Sequence, residues 1–250
     1  LEKELAEKQD QLIHSQRMEA VGKLAGGIAH DFNNLLLAMQ GSLERMEALQ
    51  GPDTGRQLGT LKEAIKRAAA LTRQLLGFAR GGKYEVERIE LVDLMRSSED
   101  LFRPTAGKET TLKVAVHPDP LAVEGDYTQL QQVLFNLLLN ANDALPDEGG
   151  RILFRAEPAA DGMPGADQCP AGRDLAEFVV IRVKDTGAGI APGDLKHIFE
   201  PFFTTKDDQG SGLGLAMAYG CVENHGGWIS VVSQVGEGTE FCIYLPRARD

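Results

Sequence analysis

The chain has 250 residues, enough for one large or two ordinary domains, with a formal net charge of -11 and 25% charged residues. That acidic surplus, with no basic stripe anywhere, argues against a nucleic-acid binder. The three cysteines, Cys169, Cys221 and Cys242, show no metal-binding or disulfide spacing and fit a reducing cytosol, and no apolar run approaches the ~18 residues of a membrane span.

Residues 1 to about 50 read as one long helix. Leu1, Leu5 and Leu12 lie among Glu, Lys and Gln; Met18, Val21, Ala25, Ile28, Phe32, Leu35 and Met39 then recur at steps of three and four, on past Ser42 to Met46. That spacing is the seam of a coiled coil or four-helix bundle. At 1.5 Å per residue the helix would span roughly 75 Å, too long for the core of one domain. Residues 1–17 are therefore expected to run outward as a coiled-coil linker to an upstream module. Because Leu1 already lies inside the helical pattern, the chain is expected to be a fragment of a longer protein.

His30 follows Ile28 by two residues, about 200° around the helix, and so should face water. Asp31 is beside it and Asn34 is one turn on. A nucleophile, a carboxylate and an amide are thus presented together on a rod. Alone, such a histidine is more often a solvated surface residue; its weight comes from what lies downstream.

Gly51-Pro52-Asp53-Thr54-Gly55 breaks the first helix. A second, about 57–80, carries Leu61, Ala64, Ala68, Leu71, Leu75 and Phe78 at the same spacing. The two make an antiparallel hairpin with too few layers to bury both stripes. It is expected to form a homodimer as a four-helix bundle, rather than to pack on its own chain.

Past Gly81-Gly82-Lys83 the pattern is mixed. Strands are expected at 88–91, 110–116, 121–123, 151–156, 178–185, 228–233 and 239–245, and helices at 92–102, 126–145 and 213–224, with Asp126 as a helix cap. The Pro-, Gly- and Asp-rich stretch 157–174 reads as a long surface loop with little structure.

On the 126–145 helix, Asn136, Asn140 and Asp143 form one polar stripe in otherwise apolar surroundings. Buried amides are costly without partners. They serve either as interior hydrogen-bonders or as neutral oxygen ligands to a magnesium ion that keeps its waters and its phosphate ligands. Asp185-Thr186-Gly187-Ala188-Gly189 sets a carboxylate at a strand end, and its glycines permit close approach to a flat ligand. A buried carboxylate accepting an exocyclic amine selects adenine over guanine. Gly210-Ser211-Gly212-Leu213-Gly214-Leu215 opens a helix whose free amides suit phosphate. Between these motifs, 190–209 reads as a lid hinged at Gly189 and Gly210. Phe202 and Phe203 would anchor it or belong to the core, and Lys206 would reach a terminal phosphate.

In this order and spacing the elements resemble the histidine-kinase family of two-component signalling, over nearly the whole chain. His30-Asp31-Phe32-Asn33-Asn34 is similar to the family's phosphoacceptor box. The helix of Asn136 and Asn140 resembles its N box, and Asp185 to Gly189 its first glycine box. Ile198 to Lys206, with Phe199, resembles its F box, Gly210 to Gly214 its second glycine box, and Gly236-Glu237-Gly238-Thr239 its final glycine turn. The form of the boxes resembles nitrogen-regulation, PAS-linked or hybrid kinases. An acid at Asp143 departs from relatives, which often hold another group there.

The resemblance implies an α+β chain. Residues 18–82 would be a dimerisation and histidine-phosphotransfer domain, and residues 88–248 an ATP-binding α/β sandwich of the type shared with gyrase. It implies ATP and Mg²⁺ as cofactors, with Asn140 and Asn136 on the metal. His30 would be the phosphorylated residue, Asp31 would orient it, and Asn34 would position water for a phosphatase reaction. Asn136, Asn140, Asp143, Asp185, Gly187, Gly189, Phe199, Lys206, Gly210, Gly212, Leu213, Gly214, Leu215 and Thr239 would line the nucleotide. The partner would be an Asp-bearing receiver domain of a response regulator, the missing upstream module a sensor. The location would be cytoplasmic, with the full-length protein free to be membrane-tethered. The competing readings are an ATPase of the same fold that never phosphorylates itself, for which a catalytic Glu is expected where Asn136 stands, and a non-catalytic dimeric relay scaffold.

Overall fold

The computed structural model describes residues 85–107, 109–205 and 212–248, together with the single positions 37, 39, 41, 59 and 61. The chain divides into two compact units, Leu1–Arg80 and Gly81–Asp250. In the first, Leu37, Met39 and Gly41 are helical, as are Gly59 and Leu61. His30, Asp31 and Asn34 lie outside the described residues, as do the hairpin's break at 51–55 and the expected dimer seam apart from Met39 and Leu61.

The second unit is built on a five-stranded sheet. Its strands are β2 (Thr110–Val116), β4 (Gly150–Pro158), β5 (Phe178–Asp185), β6 (Trp228–Gln234) and β7 (Gly238–Pro246), in the order β2-β4-β5-β7-β6. Only the β2–β4 pair is parallel; the rest are antiparallel. A small ribbon pairs β1 (Glu87–Glu90) with β3 (Ala122–Gly125). Three helices, α1 (Leu91–Phe102), α2 (Tyr127–Ala144) and α3 (Gly214–Asn224), share one core with one face of the sheet.

The periodicities explain the layering. Leu91, Leu94, Met95, Ser98 and Phe102 make a single buried stripe on α1, the pattern of a helix at the edge of a layer. In contrast α2 is apolar nearly all round, with Leu130, Val133, Leu134, Phe135, Leu137, Leu138 and Ala141 buried. It lies between α1 and α3 and against the sheet, so most of its surface meets protein and a strip with Thr128 and Asp143 is left exposed. Inward-facing Ile152, Phe154, Val179, Ile181, Val183, Phe241 and Ile243 complete this core.

Asp126 caps α2, its Oδ1 accepting from the Gln129 amide at 3.0 Å. Its own amide donates to Nε2 of the buried His225 at 3.0 Å, while Nδ1 of that ring donates to the Cys221 carbonyl at 2.7 Å. One imidazole thus pins the end of α3 to the start of α2.

The stretch 157–174 is more ordered than expected. Glu157 and Pro158 belong to β4, and a short 3-10 helix spans Ala166–Gln168. Ala159, Met163, Cys169 and Leu175 close over Phe178, Val180, Trp228, Cys242 and Tyr244, which form a second, smaller core on the sheet's other face. The Tyr244 hydroxyl donates to the Pro164 carbonyl at 2.9 Å, and Trp228 Nε1 donates to the Gly165 carbonyl at 2.9 Å. The cause is visible in the run Phe178-Val179-Val180-Ile181, which does not alternate: all four are buried, so both faces of β5 need cover. Further along that face the cover is ionic, with Arg182 held between the carboxylates of Glu157 and Glu240.

Other boundaries move by small steps. The strand expected at 121–123 runs Ala122–Gly125, α1 already begins at Leu91 because that residue is buried, and α3 begins at Gly214 with Leu213 as its cap.

Candidate functional site

Asp185 ends β5, the central strand of the sheet, and is 3% exposed. Its Oδ1 accepts from the Gly187 amide at 2.8 Å and the Thr239 amide at 3.2 Å. Burial pushes this carboxyl above its ordinary range, and the amide hydrogen bonds pull it part of the way back. Both amides fall on the same oxygen, Oδ1.

Backbone contacts hold the turn after Asp185 in place. The Ala188 amide donates to the carbonyl of Ala144, the last residue of α2, at 2.9 Å, and the Gly236 amide donates to the Ala188 carbonyl at 2.8 Å. Gly189 has φ +71°, and a Cβ there would stand 2.1 Å from the Gln234 carbonyl oxygen. The expected hinge is therefore a packed contact with the β6–β7 turn. Gly238 has φ +109°, and its Cβ would stand 2.1 Å from the Asp185 carbonyl oxygen.

Ser233 reinforces the same corner. Its Oγ accepts from the Ile190 amide at 2.8 Å and lies 3.1 Å from the Gly238 carbonyl and 2.9 Å from Thr239 Oγ1. Sequence reasoning passed over this residue. The signal was present: Ile229, Val231 and Ser233 share a face of β6 by its period of two, and the hydroxyl breaks an apolar row.

The stripe on α2 separates into three environments. Asn136 is 4% exposed; its Oδ1 accepts from Gln132 Nε2 at 2.9 Å and its Nδ2 donates to the Gly214 carbonyl at 3.4 Å. Asn140 is half-buried, and its amide has no hydrogen-bond partner among the described residues. That free, partly sheltered oxygen fits a hard divalent cation better than the Asn136 oxygen, which is already engaged. Asp143 is exposed and has a partner of its own. Asn142, next in the chain, is structural: its Oδ1 accepts from the Gly107 amide and the Thr110 hydroxyl, both at 3.2 Å.

In the lid, Ile198 is buried and Phe199 packs on Tyr219 of α3, ring centroids 5.1 Å apart. Phe203 lies against His197 at 5.7 Å. Phe202 does not anchor through its ring, contrary to expectation. Its φ of +70° turns the ring outward, leaving the residue 46% exposed, and it is its amide that is held, donating to the Gly212 carbonyl at 3.0 Å. Lys206 and Gly210 lie outside the described residues. Leu213 caps α3 without a side-chain hydrogen bond, so no side chain of that residue satisfies the first-turn amides at Gly214 and Leu215.

A mixed sheet with its helices on one face, a buried carboxylate at the end of the central strand and a helix opening without a side-chain cap define an ATP-binding α/β sandwich. Residues 125–249 match the family described as histidine kinase-, DNA gyrase B-, and HSP90-like ATPase, and residues 20–83 match the His Kinase A (phospho-acceptor) domain. The chain is 43% identical over 245 residues to sensor kinase CckA of Brucella abortus, aligning 96% of this chain with 25% of that protein. It is 31% identical over 244 residues to sporulation kinase E of Bacillus subtilis, aligning 97% of this chain with 31% of that one. Among solved structures, the catalytic domain of histidine kinase ThkA matches at 30% identity and a TM-score of 0.53, covering 65% of this chain and 96% of that domain. ThkA in complex with response regulator protein TrrA matches at 25% identity and a TM-score of 0.66, covering 93% of this chain and 64% of that one. The chain belongs to the histidine kinase family of two-component signalling, and its matched ATPase domain implies ATP as the nucleotide. It spans about a quarter to a third of the length of these two curated relatives.

Proposed function

We propose that this chain is the core of a sensor histidine kinase that phosphorylates His30 from ATP and passes the phosphoryl group to an Asp of a response-regulator receiver domain. The observation that carries the reading is the Asp185 carboxylate, buried, ionisable and fixed by two backbone amides, in the same chain as a phospho-acceptor domain.

In this reading Asp185 accepts the adenine amino group, and Gly187, Gly189 and Thr239 shape the slot around it. Asn140 holds Mg²⁺, with Asn136 close by. The metal supplies charge neutralisation at the phosphates. Gly212, Leu213, Gly214 and Leu215 offer amides to the phosphates at the start of α3, and Lys206 adds a cation from the lid. Catalysis is then positioning and electrostatics, as phosphoryl transfer requires.

His30 attacks through an unprotonated ring nitrogen, available near neutral pH for an imidazole of ordinary pKa, about 6.5. The bond from the γ-phosphorus to the β–γ bridging oxygen breaks, ADP leaves with that electron pair, and an N–P bond forms. Asp31 orients the ring through its other nitrogen and takes up the developing charge. The receiver Asp then takes the phosphoryl group. Asn34 positions water for the reverse task, hydrolysis of the regulator's phospho-Asp. The catalytic domain is residues 88–248, the helical hairpin 18–82 forms the homodimer, and residues 1–17 link to the sensor. A cytoplasmic site of action follows from ATP as donor; among the described residues no helix is long and apolar enough to cross a membrane.

The test is incubation with Mg²⁺ and γ-labelled ATP, beside His30→Gln. Acid-labile, base-stable label on the protein that vanishes in the variant is the expected result. Phosphate release with no labelled protein would assign the chain instead to the ATPases of this fold.

A further inference from the structure

The hydroxyl of Ser233 has a complete set of partners, and that completeness has a consequence for Thr239. Ser233 carries one proton and two lone pairs. The Ile190 amide, 2.8 Å away, can only donate, so it occupies one lone pair. The Gly238 carbonyl, 3.1 Å away, can only accept, so it takes the proton. Thr239 Oγ1, 2.9 Å away, is left with one role: it donates its own proton to the second lone pair of Ser233. The Thr239 hydroxyl is thereby an acceptor only toward any other group.

Thr239 is also the residue whose amide grips Asp185 Oδ1 at 3.2 Å. Next to a carboxylate, Ser233 thus creates a second acceptor with no proton to offer. A base edge carrying a donor is welcomed there, whereas one carrying a carbonyl oxygen meets only lone pairs. A lost partner for a buried polar group costs more than a gained hydrogen bond returns, so such polarity discriminates.

We propose that Ser233 is a specificity-determining residue that favours adenine over guanine nucleotides by taking the proton of Thr239. The proposal rests on the reading of Asp185 as the adenine acceptor. Ser233 is a positioning residue, acting through Thr239.

The test compares ATP and GTP dissociation constants by calorimetry for the unaltered chain, Ser233→Ala, Ser233→Thr and Asp185→Asn, with thermal unfolding as a check on folding. In Ser233→Ala the Thr239 proton is released and can turn to a guanine carbonyl. The ATP-to-GTP preference should fall roughly ten-fold, about the worth of one such hydrogen bond. Ser233→Thr keeps the hydroxyl and should keep most of the preference. Should Ser233→Ala weaken ATP and GTP by the same factor, or neither, the inference is wrong even if Asp185→Asn loses ATP. Should Asp185→Asn bind ATP normally, the adenine reading of the site falls and takes the inference with it. If Ser233→Ala does not fold, Thr239→Val decides. Deleting the acceptor should weaken ATP with little change for GTP, and equal losses for the two would overturn the proposal.

Discussion

Asn136 of α2 donates through Nδ2 to the carbonyl of Gly214, the first residue of α3, at 3.4 Å. Because a carbonyl only accepts, this bond dictates the amide's orientation. Oδ1 must face Gln132, which answers with its Nε2 at 2.9 Å. The buried Asn136 therefore ties together the two helices that flank the proposed phosphate site. Four residues on, the half-buried Asn140 amide has no such partner among the described residues.

This division predicts different phenotypes for two alanine substitutions. Asn140→Ala should abolish magnesium-dependent ATP binding with the unfolding midpoint unchanged. Asn136→Ala strands the half-buried Gln132 amide and removes the side-chain tie to the Gly214 carbonyl, which keeps its partner within α3, and should cost about 1 kcal/mol of stability, the worth of one such hydrogen bond. Calorimetry with and without Mg²⁺, beside urea denaturation, separates the two. Equal effects in both assays would remove the distinction.

Asp185 sets binding against stability. Burial raises its folded pKa above the unfolded value, so the ionised form is disfavoured in the folded state. Its favourable contribution is present below the ordinary carboxylate range and is lost as pH rises through the raised value. Asp185→Asn should melt higher than the unaltered chain at pH 7, and the gap should close as pH falls toward the ordinary carboxylate pKa, about 3.9. The same variant should lose ATP, because an amide NH₂ replaces an acceptor. A variant that melts lower at pH 7 would show that the hydrogen bonds from Gly187 and Thr239 demand the charge.

Gly238→Ala should damage the site through the backbone. At φ +109° a non-glycine residue is strained by roughly 1–3 kcal/mol, and the added Cβ would meet the Asp185 carbonyl oxygen at 2.1 Å. The expected result is a lowered melting temperature together with weakened ATP affinity. Normal affinity in a folded Gly238→Ala chain would show that the β5–β7 contact can relax without moving Asp185.

The thiols make a separate test of the core. Burial pushes Cys221 and Cys242 up to about 12, aided at Cys221 by the charge of Asp126 and at Cys242 by that of Glu240. Since the thiolate is the reactive form, only about one molecule in 10,000 would be reactive at pH 8. Iodoacetamide followed by peptide mass mapping should leave both unlabelled in the folded chain and label both in urea. Labelling of either at the rate of a free thiol would contradict the burial.

Much of this was legible in the residues because it depends on local chemistry. The α2 helix announced itself by a long apolar pattern behind a capping Asp126, and β5 ran the expected Phe178–Asp185. The glycine turns, the carboxylate at a strand end and the glycine-opened helix are short, contiguous motifs. Their requirements, close approach and free amides, are written in neighbouring positions. The cover over the sheet's second face was misread because a loop rich in Pro and Gly has no periodicity. Its signature lies elsewhere, in the unbroken apolar run of Phe178 to Ile181. Phe202 and Phe203 are adjacent and alike, and the positive φ at Phe202 goes with its ring being exposed while that of Phe203 is half-buried against the core.

By itself, then, the sequence determined the family, the order of elements and the short motifs, since each rests on spacing within one segment. Tertiary structure decided which oxygen meets which proton. That Asn136 is spent on Gly214 while Asn140 is not, that Ser233 reaches both Ile190 and Thr239, and that His225 accepts from Asp126 depend on residues from 6 to 99 positions apart. Hydrogen bonding is directional and acts over about 3 Å, so its partners are chosen only once packing has brought distant segments together.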